Sequence, residues 1–187
     1  NKHNLVVVSS GAIATGMFQQ KLTERPKELA KLQALAAIGQ PKLMSAYDLF
    51  VNNGRVAQLL VSYSDLHDTD RANNFKNTIE ELIGMGAFII VNENDSTATE
   101  EISFGDNDVL AATVAVLLSA DQLIMLTNVN GLGDEFGNLI CEIETITPRL
   151  RELAARTDSQ FRVGGMQSKL MAGEMAMTNK IPAHIIS

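Results

Sequence analysis

Short apolar runs alternate along this chain with longer stretches of helical periodicity. Leu5–Val8, Ala57–Val61, Ala87–Val91, Gln122–Leu126 and Ala183–Ile186 are too short for helices and too uniformly apolar for a half-exposed face. They predict strands buried on both sides. Between them, Lys27–Ile38 sets Leu29, Leu32 and Ala36 on one helical face, and Ala72–Ile83 does the same with Phe75, Ile79 and Leu82. The second of these has Asp70 as an N-cap and Gly84 and Gly86 at its end. Val109–Leu118 is apolar nearly all round, which predicts a sandwiched helix. Met166–Met177 is helical, with Ala172, Gly173 and Ala176 allowing close packing, and a further apolar helix over 43–51 carries Leu43, Tyr47 and Phe50 as core or interface. Asn130–Ile140 has the turn chemistry of a hairpin or projecting loop. Strands alternating with helices predict an α/β fold with a mainly parallel sheet.

Composition narrows the class. The chain has 187 residues, 45% hydrophobic and 20% charged, which fits one soluble globular domain. The net charge of −7 argues against general nucleic-acid binding. No apolar run approaches the roughly 20 residues that span a bilayer, so no membrane partner is expected. The single cysteine, Cys141, allows no intramolecular disulfide or multi-cysteine metal site, and a reducing, cytoplasmic setting is expected. Met44, Met171 and Met177 read as core gap-fillers, and His3, His67 and His184 lack metal or triad spacing. The chain starts at Asn1, almost directly in a strand, and stops in another. It is expected to be part of a longer protein, with no targeting segment.

In open α/β sheets, ligands bind beyond the carboxyl ends of the strands. Ser9-Ser10-Gly11-Ala12 follows the first strand. Taken alone it is an ordinary strand-to-helix turn, although small residues there also let backbone N–H groups approach an anion. Asn92-Glu93-Asn94-Asp95-Ser96 follows the third strand, and either holds an ammonium or hydroxyl or is a solvated loop with Asx turns. Gly105-Asp106-Asn107-Asp108 opens the apolar helix with more polar groups than capping requires, which suggests a site for a substrate amine, a catalytic lysine or a metal. Thr127-Asn128 ends the fourth strand. Gly164-Gly165-Met166-Gln167-Ser168-Lys169 misses P-loop spacing, yet offers N–H donors, a helix dipole and a cation. A lysine in a first helical turn opposes the dipole unless an anion is present, which favours function here.

VVVSSGAIATG at 6–16, LAAIGQPKL at 35–43, NFKNTIEEL at 74–82, VNENDSTATEEISFGDNDVLAA at 91–112, LTNVNGL at 126–132 and GGMQSKL at 164–170 together resemble the glutamate 5-kinase branch of the amino acid kinase family. The resemblance runs in family order over nearly the whole chain, 1–187, as one kinase domain incomplete at both ends. It implies a three-layer αβα sandwich and ATP- and Mg2+-dependent phosphorylation of the L-glutamate γ-carboxylate, the first step of proline biosynthesis. It implies that Ser10 and Gly11 bind a substrate carboxyl, and that Asn92, Asp95, Asp106 and Asn107 hold the rest of the glutamate. Asp108 would orient catalytic lysines, and Thr127 and Asn128 would contact the nucleotide. Gly164, Gly165, Met166, Gln167, Ser168 and Lys169 would cover the phosphates, Lys169 stabilising the transferring group. No protein metal site is implied. Asn128 stands where family members carry Asp, and a lysine- and glycine-containing opening strand would precede Asn1. Proline as a feedback inhibitor, closure of Ser96–Phe104 and a homo-oligomer are further implications.

The chemistry agrees with the resemblance. A carboxylate needs no general base to attack phosphorus, and the difficulty is that two anions must meet. Two other readings compete: a related kinase with another acceptor, and a catalytically silent module that senses glutamate or proline.

Overall fold

The computed structural model describes residues 3–51, 55–97, 106–160 and 165–187, with backbone alone at Asp106 and over 157–160. The chain divides into two compact units, Asn1–Ile102 and Ser103–Ser187.

The first unit runs β1 (Val6–Val8), α1 (Ala12–Gln19), α2 (Leu29–Phe50), β2 (Val56–Val61), α3 (Tyr63–His67), α4 (Thr69–Gly84) and β3 (Phe88–Glu93). Its sheet has the order β1-β3-β2, and both pairings are parallel. β3 is central, and Ile89, Ile90 and Val91 are fully buried. The expectation of strands buried on both sides holds for β3. β2 has exposed residues alternating with half-buried ones and only Val61 buried, because it sits at the edge. β3 also runs two residues further than its apolar stretch. Asn92 and Glu93 pair with Leu60 and Val61, so the strand's polar end lies within the sheet.

A single α2 replaces the two helices expected at 27–38 and 43–51, and it passes through Pro41. Proline inside a helix removes a hydrogen bond and costs about 3 kcal/mol. Burial on both sides of Pro41 offsets this: Leu32, Leu35 and Ala36 before it and Leu43 after it pack against Ala12 and Ile13 of α1. The crossing depends on two glycines. A Cβ at Gly39 would collide with the backbone of Ala12 and Gly16, and one at Gly16 with the backbone of Leu35. α4 buries Ala72, Phe75 and Ile79 as its periodicity predicts. Its N-cap is Asp68, whose side chain accepts from the Arg71 N–H, in place of the expected Asp70.

The second unit runs α5 (Asp106–Leu117), β4 (Leu123–Leu126), α6 (Pro148–Gln160), α7 (Met166–Thr178) and β5 (Ala183–Ile186). β4 and β5 pair in parallel, and exposed residues alternate along both. Val109–Leu118 has no exposed residue, as an all-apolar helix requires. Ala112 and Ala115 pack with Leu123, Met125, Ala172, Ala176 and Ile181. Gly173 is not needed for that packing, since a Cβ there would meet nothing within 4 Å. Over 130–140 a hairpin forms through the antiparallel bridge Gly133↔Leu139, and buried Leu132 anchors it. Met171 is exposed, unlike the core filler expected, whereas Met125 and Met166 are buried. Among the described residues, no helix is long and apolar enough to cross a membrane.

Candidate active site

The first unit collects polar groups at the carboxyl ends of β1 and β3. The Ser9 N–H donates to the Val91 carbonyl at 2.9 Å, so the two strand exits adjoin. Ser9 is buried; its hydroxyl donates to the Ser10 carbonyl at 3.1 Å and accepts from the Tyr47 hydroxyl at 2.8 Å. Gly11 follows with φ 106°, a left-handed conformation that glycine adopts without strain. It is the N-cap of α1, and no side chain caps that helix. The first N–H groups of a helix lack partners within it, which suits an anion. Ser10 is exposed and Gly11 half-buried beside them.

Asn92 is buried, at 2% exposure, and is held from two directions. Its Oδ1 accepts from the Glu93 N–H at 2.9 Å, and its Nδ2 donates to Gln40 Oε1 at 3.0 Å. Asp95 is half-buried in the turn after β3. Burial pulls the Arg25 guanidinium below its usual range, and the charge of Asp95 opposes that shift. Arg25, Gln40 and Tyr47 therefore join this cluster in the first unit; Gln40 lies within LAAIGQPKL at 35–43, whereas no motif marks Arg25 or Tyr47 in the sequence. A weak signal exists for two of them: seven residues apart, Gln40 and Tyr47 fall on one face of α2.

The second unit holds a buried ion pair. Lys169 Nζ lies 2.9 and 2.8 Å from the two oxygens of Asp108. Their side chains are 7% and 16% exposed. The Ser168 hydroxyl lies 2.7 Å from Asp108 Oδ2 and 2.9 Å from the Gly165 carbonyl, and its single proton serves one at a time. The anion that reconciles Lys169 with the helix dipole is thus the chain's own Asp108. Gly165 begins α7 without a side-chain cap, Met166 is buried and Gln167 exposed. Thr127 leaves β4 with its N–H donating to the Ile186 carbonyl at 2.8 Å, and Asn128 is exposed beside it. Asn107 is half-buried at the start of α5. Gly164 and residues 98–105 lie outside the described residues, as does the side chain of Asp106. Among the described residues, no group of three or more His, Cys, Asp or Glu side chains is placed to hold a metal ion.

The chain belongs to the amino acid kinase family, which it matches over residues 1–187, and the α/β class with parallel pairing fits that family's three-layer αβα fold. Curated relatives similar to the chain include glutamate 5-kinases. That of Clostridium acetobutylicum is 41% identical over 185 residues, covering 95% of this chain and 69% of the relative. Those of Myxococcus xanthus and Pseudomonas entomophila are 39% and 42% identical, covering 98% and 92% of this chain. The chain spans about half the length of these two, 51% and 48%.

Proposed function

We propose that this chain is the kinase core of an enzyme that phosphorylates the γ-carboxylate of L-glutamate from ATP. The product, γ-glutamyl phosphate, opens proline biosynthesis, and the enzyme would work in the cytoplasm. The observation that carries the reading is the buried Lys169–Asp108 pair at the uncapped start of α7. A lysine held in one place by both oxygens of a carboxylate is a prepositioned cation, and phosphoryl transfer to a carboxylate needs positive charge more than a base.

The residues fit the groups this chemistry requires. An uncapped helix start with Lys169 in its first turns suits phosphate oxygens, and Thr127 and Asn128 offer side chains for the nucleotide. ATP would supply the transferred phosphoryl group, and Mg2+ bound with it would offset the charge of the phosphates. A γ-carboxylate oxygen of glutamate forms the new bond to phosphorus while the bond to ADP breaks. Lys169 neutralises charge on the transferring group, and Asp108 keeps its ammonium directed. The α1 start at Ser10 and Gly11 receives a glutamate carboxylate, Asn92 hydrogen-bonds it, and Asp95 attracts its ammonium. Proline shares that amino acid end and would compete for it.

The test is formation of a hydroxamate from glutamate, ATP and hydroxylamine by the full-length protein that contains this chain. Activity with glutamate and little with N-acetylglutamate or aspartate is expected. Preference for either alternative acceptor would overturn the reading, and glutamate binding without hydroxamate would make the chain a sensor.

A further inference from the structure

The amide of Gln40 is buried, at 8% exposure, and its Nε2 has no hydrogen-bond partner among the described residues. A buried donor without a partner is destabilising, and native proteins keep few of them. The orientation of this amide is fixed by its neighbours. The Glu93 backbone N–H can only donate, so the atom of Asn92 facing it at 2.9 Å is the oxygen. The nitrogen of Asn92 must then face Gln40, 3.0 Å away, and the atom of Gln40 that meets it must be an oxygen. Exchanging oxygen and nitrogen in Gln40 would set two donors against each other. A main-chain N–H two links away therefore commits Gln40 to presenting a donor on its other side.

The location matters as well. Gln40 and Tyr47 lie two turns apart on α2, and each bonds a residue leaving a parallel strand, Asn92 from β3 and Ser9 from β1. The same helix face thus reaches both strand ends in the first unit. Gly39, pressed against the α1 backbone, leaves α2 little freedom to draw Gln40 away.

We infer that Gln40 is a specificity-determining residue of the glutamate site, its Nε2–H donating to a carboxylate oxygen of the bound amino acid. This rests on the function proposed above. The chemistry selects the acceptor: the ammonium of glutamate has only donors, whereas its carboxylates have only acceptors. Gln40 and Asp95 then divide the work, the one recognising carboxylate and the other ammonium. A glutamate-free protein bears an unpartnered amide, and substrate relieves it.

Two variants of the full-length protein test this, read by hydroxamate kinetics and thermal melts without glutamate. Gln40→Glu keeps the shape and the acceptor for Asn92 but replaces the donor with an oxygen. The expected result is a rise in KM for glutamate of about tenfold or more, with kcat and KM for ATP within about twofold, the worth of one hydrogen bond to a charged group. A wild-type glutamate KM in this variant would overturn the inference. Should buried charge unfold Gln40→Glu, Gln40→Met decides. This variant also removes the acceptor for Asn92 Nδ2, so the inference expects a similar KM rise with a lowered melting temperature, and an unchanged KM overturns it. If the wild type itself makes no hydroxamate from glutamate, the proposed function fails and this inference falls with it. If the wild type is active and the variants keep its KM, the inference alone fails.

Discussion

Lys169 and Asp108, 61 residues apart in the chain, meet in a two-pronged ion pair with Nζ 2.9 and 2.8 Å from the carboxylate oxygens. The pair is the main electrostatic feature of the second unit, and removing either partner strands a buried charge. Lys169→Met should cost about 3–5 kcal/mol of stability and reduce turnover by a factor on the order of 100 or more. The double variant Lys169→Met with Asp108→Leu should regain most of the stability and none of the turnover. Denaturant melts beside hydroxamate assays separate the two effects. Turnover that follows stability in the double variant would remove Lys169 from catalysis.

Tyr47 donates to Ser9, which donates to the Ser10 carbonyl. In a trans peptide the N–H points opposite the carbonyl, so this chain sets the direction of the Gly11 N–H. Tyr47→Phe keeps the ring, which stands 6.4 Å from that of Phe88, and removes only the hydroxyl. We expect a stability loss of about 1 kcal/mol and a KM for glutamate raised about threefold to tenfold. Unchanged kinetics would show that Ser9 orients the loop without Tyr47.

At the α1–α2 crossing, Gly39→Ala would place a methyl group against the backbone of Ala12 and Gly16, which cannot rotate aside. A loss of about 1–3 kcal/mol or more is expected. Gly84→Ala is the control, because its Cβ would meet nothing within 4 Å. It should be neutral or stabilising by up to about 1 kcal/mol. Equal melting temperatures for the two variants would contradict the crossing geometry.

Asp65 caps α3 in a reciprocal box with Ser62, and its carboxyl is lowered from 3.8 to about 2. The Ser62 hydroxyl contributes most, then the Ser62 N–H, then Arg71. A depressed folded value stabilises above the unfolded value, and that stability is lost as pH falls through the folded one. Asp65→Ala should therefore cost about 1 kcal/mol near neutral pH. The gap from wild type should close between about pH 4 and about pH 2. Urea midpoints across that range measure it, and a gap that persists at the acid end would mean that the carboxylate is not its source.

Much of this protein is legible in one dimension. β5 has the bounds its apolar run predicts, and β1, β2 and β4 begin within a residue of theirs. A short apolar run marks a strand by composition, while its place in the sheet decides how far it is buried, and helical periodicity marks the face of α4. The motifs carry the family and most of the candidate site residues, since Gly11, Asn92, Asp108 and Lys169 are chemical types at fixed places near strand and helix ends.

Residues that act through partners distant in sequence are a different matter. Asp68 and Asp70 are equal candidates for a cap until the backbone chooses where α4 starts. Pro41 argues locally for a break, and a helix passes through it because packing on α1 outweighs the local penalty. Gln40 and Tyr47 are two polar positions among several on α2, and they join the strand ends only when α2 is laid across the ends of β1 and β3. Spacing shows that Lys169 begins a helix, but that its counter-ion is Asp108 depends on α5 and α7 packing together. Hydrophobic pattern is a local property that any stretch of chain carries with it. Hydrogen bonds and ion pairs act over about 3 Å, so which of them form depends on the folded path of the chain.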